Sequence, residues 1–85
     1  MVTPDQKLID AILREIDAQL NRGVLPVHHA HLKHLCEEGK ILEYLLFMKN
    51  ERLISGDLIT RGVSSTPYKM TNIRLTYVGI KALQP

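Results

Sequence analysis

The sequence predicts a small α+β domain, with a three-helix core, a short strand, a β-hairpin and a short C-terminal helix. Three observations carry this expectation. Apolar residues recur at helical spacing through the first half of the chain. Two extended apolar runs flank a turn-rich stretch in the second half. Gly23 and Gly39 stand where helices would end. A length of 85 residues suits one domain, so 1–85 is read as a single unit.

The first helix is expected from about residue 4 to residue 22. Thr3 can cap it, Pro4 suits its first turn, and Gln6 can close a capping box. Leu8, Ile9, Ile12, Leu13, Ile16 and Leu20 form its apolar face. Val24-Leu25-Pro26-Val27 reads as a brief edge strand, with Pro26 placed where no ladder donor is needed. A second helix is expected over His29–Glu38, with Leu32, Leu35 and Cys36 facing inward. The third follows over Lys40–Asn50, with Ile41, Leu42, Leu45 and Met48 as its inner stripe. The tight glycine junction between them suggests a helix-turn-helix. An extended run begins at Leu53-Ile54 and reaches Ile59. After the polar turn at 61–67, a second run covers Lys69–Leu75, where alternation is loose. Thr76 can cap a last helix that contains Val78, Ile80, Ala82 and Leu83.

Composition is ordinary for a globular protein, with 45% hydrophobic and 24% charged residues. No run approaches the ~20 apolar residues of a membrane span, and no signal peptide is evident. The single cysteine, Cys36, suits a reducing cytoplasm. Charge is uneven. Residues 1–57 carry seven Lys or Arg against nine Asp or Glu, a net of −2. Residues 58–85 carry Arg61, Lys69, Arg74 and Lys81 with no acid, a net of +4. Such asymmetry points to an anionic partner near the C-terminal part.

Two passages resemble the winged helix-turn-helix superfamily. Met48-Lys49-Asn50-Glu51-Arg52-Leu53-Ile54-Ser55-Gly56 is similar to its passage from recognition helix into wing, with Arg52 where glycine is usual. Ile73-Arg74-Leu75-Thr76-Tyr77-Val78-Gly79-Ile80-Lys81-Ala82-Leu83 resembles its return strand and terminal helix, "Leu-Thr-x-x-Gly-x-x-x-Leu". In look the chain is closest to small phage- or prophage-associated bacterial winged-helix proteins of unassigned function. The resemblance implies a DNA-binding protein, a small transcriptional regulator whose third helix enters the major groove of double-stranded DNA. It also allows a homodimer on a palindromic site.

On that reading Lys40, Glu43, Tyr44, Lys49 and Asn50 face DNA from the third helix. Lys40 and Lys49 would meet phosphates, and Asn50 could read an adenine edge. Arg61, Ser64, Ser65, Lys69 and Arg74 would supply the wing's phosphate donors. Tyr44, Leu46 and Phe47 are apolar for such a surface. They could instead form a dimer seam or a protein-partner site, or belong to the core. The alternative function is therefore a protein-interaction or dimerisation module without DNA binding.

His28, His29, His31 and His34 are the most unusual local cluster. A zinc site wants about four ligands, and one thiol with no second cluster does not supply them. They are read as surface histidines, so no metal or cofactor is expected. No phosphate-cradling loop, nucleophile elbow or His-Glu-x-x-His is present, and His34 and Cys36 fall on different helix faces. No enzyme, small-molecule ligand or membrane partner is expected.

Overall fold

A computed structural model describes residues 5–59 and 69–83. The elements run α1 (Gln6–Asn21), a 3-10 turn (His29–Leu32), α2 (Glu38–Asn50), β1 (Ile54–Ile59), β2 (Lys69–Leu75) and α3 (Tyr77–Leu83). The two strands form an antiparallel hairpin against the helices, an α+β arrangement. No helix among the described residues is long and apolar enough to cross a membrane.

Helix α1 is capped by Asp5, whose Oδ1 accepts the Lys7 N–H at 3.0 Å. Thr3 and Pro4 lie outside the described residues, and Gln6 donates to Asp10 Oδ1 rather than closing a capping box. The helix ends in a Schellman motif. The Gly23 N–H donates to the Leu20 carbonyl at 3.0 Å and the Val24 N–H to the Gln19 carbonyl at 3.0 Å. Gly23 takes the left-handed conformation this needs, at φ 82°.

Two expected elements are not formed as predicted. Residues 24–27 are not a strand: Leu25 and Pro26 are exposed, and Pro26 has no N–H for a ladder. One bond survives there, from the Ile73 N–H to the Val27 carbonyl at 3.1 Å. The second helix shrinks to the 3-10 turn, followed by further turns to residue 35. A stretch with few apolar positions buries too little surface for a longer helix. Helix α2 in turn starts at Glu38, ahead of the expected Lys40.

Helix α2 ends in the same hydrogen-bond pattern as α1. The Arg52 N–H donates to the Lys49 carbonyl at 3.0 Å and the Leu53 N–H to the Met48 carbonyl at 2.9 Å. Arg52 occupies the glycine position of the motif, with φ 63°. A non-glycine residue there costs on the order of 1 kcal/mol.

The loose alternation in β2 has a structural cause. Ser55 pairs with Arg74 and Asp57 with Thr71, so Asn72 and Ile73 together oppose Gly56. This is a β-bulge, and Asn72 takes it at φ 58°, a conformation asparagine tolerates. The extra residue lets Met70 and Ile73, three apart, both face the core. They meet Ile12, Leu13 and Ile16 of α1, Ile41, Leu45 and Met48 of α2, and Val27, Leu32 and Ile54, all in one apolar cluster.

Helix α3 is seated by backbone contact. The Thr76 N–H donates to the Leu53 carbonyl at 3.2 Å, and its hydroxyl donates to the Arg52 carbonyl. The same oxygen accepts the Gly79 N–H at 3.2 Å, the cap expected of Thr76. Gly79 is buried, and a Cβ there would fall on the Leu53 carbonyl oxygen. Only glycine lets α3 lie this close to the turn after α2.

Candidate nucleic-acid interface

The outward strip of α2 carries Lys40, Glu43 and Asn50, all exposed. Lys49, Leu46 and Phe47 are half-buried. Tyr44 does not face outward. It is buried at 6% exposure, and its hydroxyl oxygen accepts the Asp5 N–H at 2.9 Å. Tyr44 stands three residues after Ile41 and four before Met48, so it flanks the inner stripe, and the start of α1 covers it. It can neither touch DNA nor anchor a partner without unfolding that contact. Phe47 packs against the core and lines a groove with Ile9, Leu13 and Leu53. Of the apolar trio proposed for an interface, Leu46 alone stays outside the core cluster.

The remaining strip can serve bases better than phosphates. Asn50 offers a donor and an acceptor, Glu43 accepts only, and Lys40 donates. Its net charge is zero, so α2 alone supplies little electrostatic attraction. On the hairpin, Arg74 is exposed and Lys69 half-buried. Arg74 shares the outer face with Ser55, Asp57 and Asn72, and Asn72 Nδ2 donates to Asp57 Oδ2 at 3.5 Å. Arg61, Ser64 and Ser65 lie outside the described residues.

The histidines divide into distinct roles. His29 is buried at 7% exposure, against the expectation of a surface residue. Its Nδ1 accepts the Met70 N–H at 3.3 Å. That bond places the ring proton on Nε2, which donates to Glu38 Oε1 at 3.2 Å. One side chain thus joins the 3-10 turn to β2 and to the first turn of α2. Lys33 Nζ sits 3.1 Å from the other oxygen of Glu38. The bond from Lys33, then that from His29, holds the Glu38 carboxyl below its ordinary pKa.

His31 Nδ1 accepts the His28 N–H at 3.0 Å, and their rings lie 5.7 Å apart. His34 is exposed, with Nε2 3.5 Å from Glu15 Oε1. Among the described residues no three His, Cys, Asp or Glu side chains are placed to hold a metal. Cys36 is half-buried against the core, and burial pushes its thiol pKa up. A protonated thiol is a poor nucleophile.

Sequence reasoning missed two features. One is the structural role of His29, whose partners lie 9 and 41 residues away. The other is the outer face of α3, where Tyr77, Val78 and Ile80 are exposed. No protein-family model, curated protein or solved structure matches this chain.

Proposed function

We propose that this chain is a winged-helix DNA-binding protein that acts as a small transcriptional regulator. The observation that supports it most is the order of elements together with the Ile73–Val27 hydrogen bond. That bond sets segment 24–27 beside β2, in the place expected for the short edge strand. Around it stand α1, the 3-10 turn, α2, the hairpin and α3, in the order a winged helix requires. In this reading α2 enters the major groove with Lys40, Glu43 and Asn50, and the hairpin brings Lys69 and Arg74 to phosphates. Glu43 would accept from a cytosine amino group and Asn50 would pair with an adenine edge. A neutral α2 strip makes each half-site weak, so a homodimer on a palindromic site would add two of them.

The test is fluorescence anisotropy on a labelled duplex, titrated at low and near-physiological salt. Binding is expected to weaken steeply as salt rises, because phosphate contacts release counterions. The double variant Arg61→Ala, Arg74→Ala is expected to bind every duplex more weakly while staying folded. Absence of binding at low salt would reject the reading.

A further inference from the structure

The end of α2 and the start of α3 form a second surface, whose lining includes none of Lys40, Glu43 and Asn50. An open groove there is lined by the apolar residues Ile54, Tyr77 and Val78 together with Lys49 and Arg52. Lys81 stands beside it on α3, with Nζ 5.5 Å from the centre of the Tyr77 ring. No carboxylate is among the described residues that line it. The neighbouring acid, Glu51, lines the groove on the Phe47 side instead. Helix α3 leaves Tyr77 of this lining at 73% exposure and Val78 at 47%, and Ile80 outside it at 47% as well. This helix spends its small residue, Gly79, on the body of the protein and turns its large apolar ones outward.

Arg52 adds an independent observation. It holds a left-handed conformation that glycine would adopt without strain. Strain kept at one position marks a use for the side chain found there. Arg52 is exposed and is one of the residues that line this groove.

We infer that this surface docks a protein segment whose apolar side chains are flanked by Asp and Glu. The apolar lining takes the hydrophobic side chains, and Lys49, Arg52 and Lys81 meet the acids. A symmetric contact between two copies is disfavoured, because it would bring the same three cations together. A nucleic acid is the other occupant of matching charge, but the apolar lining of Ile54, Tyr77 and Val78 favours a segment that brings its own apolar side chains. The inference does not depend on DNA binding.

The experiment uses the full chain, labelled with nitrogen-15, and two designed fluorescent peptides. One is an amphipathic helix with Leu and Phe on one face, flanked by Glu. The other replaces every Glu with Lys. The acidic peptide is expected to bind and to shift the amides of Ser55, Thr76 and Val78. The basic peptide is expected not to bind. Tyr77→Ala should weaken the acidic peptide about tenfold or more, as for a central interface aromatic. Arg52→Gly should weaken it about two- to fivefold, as for an exposed charge. Its melting temperature should not fall, which separates a lost contact from a lost fold. Both variants should bind duplex DNA as the parent does. Equal binding of the two peptides, or no binding of the acidic one, would overturn the inference. Self-association or oligonucleotide binding that disappears in Tyr77→Ala would overturn it in favour of a second copy or a nucleic acid.

Discussion

Helices α1 and α2 end in the same pair of backbone hydrogen bonds, yet one closes on Gly23 and the other on Arg52. At the end of α1 nothing lies within 4 Å of a Cβ built on Gly23, so local chemistry alone makes the stop. At the end of α2 the left-handed residue is one that resists the conformation. The surroundings hold it there. Thr76 binds the Arg52 and Leu53 carbonyls, and Gly79 brings α3 down on the same turn. A turn can therefore be imposed either by the residue that makes it or by its neighbours, and this molecule does both.

Removing the neighbour is expected to have the largest effect. Gly79→Ala places a methyl on the Leu53 carbonyl oxygen and should cost about 3 kcal/mol as α3 is forced off the turn. Urea unfolding would measure it, and a cost under about 1 kcal/mol would mean that α3 does not enforce the Arg52 conformation. At the other end of α2, His29→Leu keeps the volume but strands the buried Met70 N–H, for a loss of about 2 kcal/mol. The same variant frees Glu38 from one of its two partners. The Glu38 carboxyl, held below its ordinary pKa, adds stability above the usual carboxylate range and loses it as pH falls through its lowered value. The variant should therefore lose less stability on acidification than the parent. A steeper acid loss would refute the His29–Glu38 bond.

Gly23→Arg transplants the situation of Arg52 to the end of α1, without the clamp. It should cost about 1 kcal/mol and fray the last turn, seen as faster amide exchange at Gly23 and Val24. The smallest effect is a gain. Arg52→Gly should stabilise by about 0.5 kcal/mol, because relief of strain is partly offset by the entropy of glycine in the unfolded chain. A clear loss of stability would show that the Arg52 side chain itself holds the turn.

Much of the scaffold was legible because its causes are local. The apolar periods of α1 and α2, the stop at Gly23, and the cap at Thr76 all act within a few residues. What failed at Tyr44, at His29 and in β2 has causes at long range. Helix phase alone leaves Tyr44 open to an outward or a core position, because its cover comes from the start of α1, 39 residues away. His29 looked like a surface residue because its partners are Glu38 and the backbone of Met70. The uneven pattern at 69–75 was visible, but only pairing with β1 reveals it as a bulge. Of the candidate site, Lys40, Glu43 and Asn50 are exposed on α2, and their outward position is legible because helix phase is a local property. The groove beside Arg52 was not foreseen, although an arginine at a glycine position was the signal.

The bulge at Asn72 also divides labour in time. Ile73 sits within the hairpin, but its amide proton is held by the Val27 carbonyl. Its exchange with solvent should follow the breathing of loop 24–28, while amides on either side follow the opening of the strands. The Ile73 nitrogen-15 resonance would then time the anchoring of this loop, which Val27 roots in the core, separately from the opening of the hairpin.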